Sequence, residues 1–144
     1  MVEHDTIRLL RECDAGIKMG VSAIDEVLEY VKSRELKQIL EDSLKENDKV
    51  KDELQKLLEE YHDDGKEPGA MAKGMSWIKT NVKLAVNESD KVIADLMTDG
   101  CNMGIKSLNK YLNQYEAADE KSKTLAKKLI KLEEKLAEDV KSYL

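Results

Sequence analysis

Apolar residues in this chain return every three or four positions over stretches far longer than a strand, and only one proline occurs in the whole sequence. That period places successive apolar side chains on one face of a helix and excludes the strict alternation a half-buried strand needs. The first stripe is Ile7, Leu10, Ile17, Val21, Ile24, Leu28 and Val31, interrupted only at Asp14. It predicts a helix over about 5–33. The second, Leu36, Leu40, Ser43, Asn47, Val50, Leu54, Leu57 and Tyr61, predicts a helix over about 35–62. So short a connection, at Ser33–Arg34, makes the two an antiparallel hairpin.

The pattern then stops. "HDDGKEPGAMAKGM" (62–75) holds the proline and three of the seven glycines, and marks a connection over about 63–75. Periodicity resumes at Trp77, Ile78 and Val82 and runs through Val92, Leu96, Met103, Leu108 and Leu112. It predicts a third helix over about 76–114. This helix either bends near "VNESD" (86–90) or begins as a separate crossover helix ending there, because Asn87 and Ser89 are weak helix formers. A fourth helix over about 119–143 carries Leu125, Leu129, Leu132, Leu136, Val140 and Tyr143, with Asp119 as its N-cap and Ser122 at N3. The expectation is one all-α domain over 1–144: two hairpins and a long connection. A second helix of about 40 Å and a connection able to span it allow a one-crossover bundle.

Composition narrows the function classes. Charged residues make up 38% and the net charge is −6, with Lys and Glu interspersed along every segment. No basic face is segregated, so neither nucleic acid nor an anionic membrane is an expected partner. No apolar run approaches the roughly twenty residues a bilayer requires. The first ten residues lack a basic-then-apolar leader. A cytoplasmic protein with two reduced thiols is therefore expected.

Within the first and third helices a short motif recurs: "CDAGIK" at 13–18 and "CNMGIK" at 101–106, an offset of 88 residues. Applied throughout, the offset maps Cys13 to Cys101, Asp14 to Asn102, Gly16 to Gly104 and Ile24 to Leu112. A duplicated helical hairpin accounts for it. Each copy places two glycines four apart, Gly16 with Gly20 and Gly100 with Gly104. Since a mid-helix glycine costs about 1 kcal/mol against alanine, the expectation is that these faces meet at a close helix crossing. Cys13 and Cys101 read as small buried hydrophobes in that crossing.

The hairpin–crossover–hairpin plan with repeated first and third helices resembles the ferritin-like superfamily. "LLRECDAG" (9–16) and "GKEPGAMAKGMSWIK" (65–79) are similar to a bacterial branch of it, of unassigned function, with a Glu-Cys-acid-x-Gly helix motif and a Gly-x-Pro…Gly…Trp crossover. The resemblance covers most of the chain. It implies a four-helix bundle, often oligomeric, in a lineage whose best-known members bind two metals. Those members use a Glu on the first helix, Glu-x-x-His on the second, Glu on the third and Glu-x-x-His on the fourth.

This chain departs from that ligand set. Its two histidines are His4 and His62, and its fourth helix has none. Two constellations remain. One is the polar interruption of the stripes by Asp14, Ser43, Asn47 and Asn102, with Glu12 beside it. These residues either fix helix register or form an altered metal site. The other follows from hairpin register, which pairs His4 with His62 near Asp5, Glu59 and Asp63; two imidazoles and carboxylates could take a divalent ion there. No histidine falls near either cysteine in register, so no Cys-His nucleophile can be built. The leading expectation is a non-enzymatic interaction or structural module lacking a complete two-metal centre. It carries no cofactor and forms homo-oligomers through the apolar N-terminal part of the third helix. The alternative is an iron-, manganese- or zinc-binding protein using His4, Glu12, Asp14, Glu59 or His62.

Overall fold

A computed structural model describes residues 4–66 and 89–144. Among them are four long α-helices and no strand: α1 (His4–Leu28), α2 (Arg34–Glu60), α3 (Ser89–Gln114) and α4 (Glu120–Val140), followed by a 3-10 turn at Lys141–Tyr143. The expected N-terminal part of the third helix, its bend near Asn87 and most of the 63–75 connection lie outside the described residues.

α1 stops at Leu28 although its apolar period continues to Val31. The backbone N–H groups of Lys32 and Ser33 are taken by the Asp90 carboxylate at the start of α3, at 2.7 and 2.8 Å. Ser33 in turn caps α2 by accepting from the Leu36 N–H. The turn thus satisfies its donors outside a helix, and ending α1 early leaves none of these stranded. Asp119 caps α4 from an extended backbone, its carboxylate accepting from the Ser122 N–H at 2.8 Å.

Helix orientation follows from the polar contacts at the two ends. At one end Asp5 and Thr6 of α1 accept from the Ala117 and Asp119 N–H groups of the α3–α4 turn, and the Tyr61 hydroxyl after α2 donates to Asp119. At the other, Asp90 holds the α1–α2 turn and Tyr143 lies beside Ser33. α2 and α3 are therefore parallel, and α3 begins at the end opposite to where α2 finishes. α1 packs on α2, α3 and α4, and α2 packs on α4, whereas α2 and α3 touch at most marginally.

Two apolar clusters fill the interior. Leu9, Leu10, Cys13, Ile17, Leu54 and Leu129 belong to one, and Ile24, Val27, Leu40, Ile93, Cys101 and Val140 to the other. Each fully buried Leu or Ile stabilises the fold by about 1.5–3 kcal/mol relative to exposure. Along α2 and α4 the polar residues Asn47 and Glu133 fall between members of the two clusters.

Three expectations change here. Among the described residues, a Cβ on Gly16, Gly20 or Gly100 would meet nothing within 4 Å, and one on Gly104 would meet only the Glu133 side chain of α4. α1 and α3 do touch, but these glycines do not form the contact; Gly104 makes room for a side chain, not for a backbone. Asn102 is exposed while its repeat counterpart Asp14 is fully buried, so of the four polar stripe positions Asp14 and Asn47 are buried, Ser43 is half-buried and Asn102 lies outside the core. Met103, placed on the core stripe by its spacing, is 56% exposed.

Candidate functional site

Asp14 sits at 0% exposure on α1, where an unpaired carboxylate would be strongly disfavoured. Its partners come from three places. Gln55 of α2 donates to Oδ1 at 3.1 Å, the Lys66 backbone N–H donates to Oδ2 at 2.9 Å, and the Lys18 ammonium, one turn along α1, lies 2.9 Å from Oδ2. Charge, hydrogen bonds and helix register agree, and the buried anion is compensated.

What Asp14 holds is the chain just after α2. The helix ends in a Schellman motif: the Asp63 N–H donates to the Leu58 carbonyl and the His62 N–H to that of Glu59, with His62 in the left-handed region at φ 56°. Gly65 follows at φ 80°, and a Cβ built there would collide with an Asp14 carboxylate oxygen. The segment is also tied down on either side. Arg11 donates to both Asp63 oxygens, at 3.0 and 2.6 Å, and the Lys66 ammonium donates to Glu12 at 2.6 Å. The Arg11 hydrogen bonds outweigh burial and hold the Asp63 carboxyl below its ordinary value. Burial, then the Glu12 carboxylate, raises the Tyr111 hydroxyl beside this cluster; its ring stacks on Tyr115.

The metal candidates are thereby distributed. Glu12 and Asp14 belong to this clamp on residues 63–66. His4, Glu59 and His62 are exposed at the same end of the bundle, and the His62 backbone serves as the helix stop. Among the described residues no group of three or more His, Cys, Asp or Glu side chains is placed to hold a metal ion. Asn47, buried on α2, donates to the Ser43 carbonyl of its own helix at 2.8 Å.

Both cysteines are free and buried. Burial pushes the Cys13 thiol up to about 12 and raises Cys101 as well, so neither supplies a thiolate near neutral pH. Burial raises the carboxyl of Glu133 on α4. The polar groups missed by sequence reasoning are Arg11, Gln55 and Lys66, partners in the clamp, and Glu133; Asp63, expected beside the histidine pair, is bonded to Arg11 instead. For Glu133 a signal existed: it stands three or four residues from Leu129, Ile130, Leu136 and Ala137, on the inner face of α4.

Two concavities among the described residues are open surface grooves. One, of about 340 Å³, runs between α3 and α4 past Thr98, Ile105 and Leu144, and the other, of about 430 Å³, between α2 and α4 past Leu57 and Leu125. No described helix is long and apolar enough to cross a membrane. Compared with family models, curated proteins and solved structures, the chain matches none of them.

Proposed function

We propose that this chain is a ferritin-like bundle of two duplicated hairpins joined by a full-length crossover, without a complete two-metal centre. In this reading it works as a non-enzymatic interaction or structural module in homo-oligomeric form. The parallel run of α2 and α3, with α1 beside α3 and α2 beside α4, supports the one-crossover arrangement. The observation that carries the functional reading is the employment of Asp14 and Glu12. The acids best placed on α1 for a metal are already bonded to Lys66, Gln55 and Lys18, holding the chain as it leaves α2. A carboxylate satisfied by fixed cationic and amide donors has no lone pair pre-organised for a cation.

The test is elemental. Protein purified from cells grown with added iron and manganese is analysed by plasma mass spectrometry beside a D14A variant. Substoichiometric metal in both is expected. A stoichiometric transition metal in the wild type that disappears in D14A would replace this reading with the metal-binding one. Self-association is checked separately by light scattering on a sizing column; a monomer across the concentration range removes the oligomeric part alone.

A further inference from the structure

The sequence holds two Asp-Gly dipeptides, Asp64–Gly65 and Asp99–Gly100. Such a pair is open to aspartate isomerisation, because glycine puts no side chain in the way of its own nitrogen. In that reaction the nitrogen after the aspartate attacks the side-chain Cγ, and the carboxyl OH and the amide hydrogen leave as water. Water then reopens the five-membered imide at either carbonyl, and opening at the main-chain carbonyl routes the backbone through the side chain. Solvent water is all that the conversion consumes. Asp99–Gly100 lies inside α3, where the helical hydrogen-bond ladder holds the amide. Asp64–Gly65 follows α2, and the Asp64 side chain is exposed. There the Gly65 N–H donates to Asp63 Oδ2 at 3.0 Å, Arg11 grips both oxygens of that carboxylate, and the Lys66 N–H donates to Asp14 Oδ2 at 2.9 Å.

We propose that Asp64–Gly65 is a site of aspartate isomerisation, held latent by the clamp that Arg11, Asp63 and Asp14 place on its backbone. The imide nitrogen carries no hydrogen, so ring closure must break the Gly65 bond to Asp63. Closure also shifts the Gly65 backbone, and the Asp14 carboxylate already lies where a Cβ on that residue would stand. The product lengthens the main chain by a methylene before Gly65, which moves the Lys66 N–H off Asp14. Each step therefore takes hydrogen bonds from the clamp, and the reaction runs through the opened loop in proportion to its population. A competing role for Asp63, as a base drawing the proton from the Gly65 nitrogen, predicts the opposite response to its removal. The site is independent of the interaction-module reading above and stands whether or not that reading does.

The test ages the full wild-type chain beside R11A and D63A for several weeks at neutral pH and physiological temperature. Peptide mass spectrometry with electron-transfer fragmentation, after digestion at mildly acidic pH, separates the two backbones at 64 and at 99. Asp99 reports general unfolding, and wild-type chain held in urea supplies the unguarded rate. Iso-aspartate at 64 is expected to form about fivefold or more faster in R11A and in D63A than in the folded wild type, while the rate at 99 stays level. Two variants guard against one failing to fold. A rate at 64 that is unchanged or lower in either folded variant would overturn the guarded site. So would equal rises at 64 and 99, or a folded wild-type rate at 64 matching that in urea.

Discussion

Gly65 and His62 adopt the same left-handed backbone, three residues apart, and only one of them suits it. At Gly65 a side chain is excluded twice, by φ of 80° and by the Asp14 carboxylate lying against the Cα. Gly65→Ala must displace that carboxylate or the Lys66 N–H bonded to it. A loss of about 2–4 kcal/mol is expected, from left-handed strain plus an unsatisfied buried polar group. Urea denaturation measures it, and a cost under about 0.5 kcal/mol would mean the clamp does not hold this loop. His62 is the reverse case. Its imidazole is exposed and its backbone occupies the C′ position where glycine is the usual residue. His62→Gly is expected to raise stability by about 0.5–1 kcal/mol in the same assay. A metal ligand would give the opposite result in metal-loaded buffer, so this substitution also separates the helix-stop role from the histidine-pair site.

At the level of the helices, an aspartate serves each turn: the Asp90 carboxylate holds the α1–α2 turn from α3, and at the α3–α4 turn Asp119 donates its backbone N–H to Thr6 of α1 and accepts from Tyr61 through its carboxylate. Asp119 caps its own helix through one oxygen while the other accepts from Tyr61 at 2.6 Å. Asp119→Ala should cost about 2–4 kcal/mol, combining a lost N-cap with an orphaned tyrosine hydroxyl. Tyr61→Phe alone should cost about 1 kcal/mol. The double variant should fall short of the sum of the two, because the second change removes the orphan; strict additivity would show the contact contributes nothing. The N-cap was legible in the sequence because capping is local, joining Asp119 to a neighbour three residues on. The Tyr61 and Thr6 contacts were not, since they exist only once the bundle brings distant chain ends together. Asp14 shows the same division. Its interruption of a stripe announced a buried polar group, but Gln55 and Lys66 became its partners through the packing of α2 and the backbone after it. The repeated glycines misled because the spacing that permits helix approach does not compel it, and Gly104 serves a carboxyl group instead.

For the molecule as a whole, the buried and half-buried acids oppose one another across the pH scale. Asp63 is held low by the Arg11 hydrogen bonds; at Asp119 burial works against ionisation, but the bonds from Tyr61 and Ser122 overcome it. A carboxyl whose folded value is depressed binds fewer protons in the native state, so its stabilisation is present above the ordinary Asp range and fades as pH falls through the depressed value. Glu133 has the opposite sign. Its raised folded value means that the native state retains a proton the unfolded chain has given up, so stability declines as pH rises from the ordinary Glu range through the raised one. Urea midpoints plotted against pH should therefore form a dome whose upper limb begins on the acid side of neutrality. Glu133→Gln should abolish that upper decline and leave the acid limb intact, whereas Asp63→Asn should soften the acid limb and leave the upper one. The two limbs belong to groups at different places, Asp63 just after α2 and Glu133 in the α3–α4 seam, so the paired variant should show both changes independently. A curve that E133Q leaves unchanged above about pH 5 would mean that the carboxyl ionises inside the fold without cost.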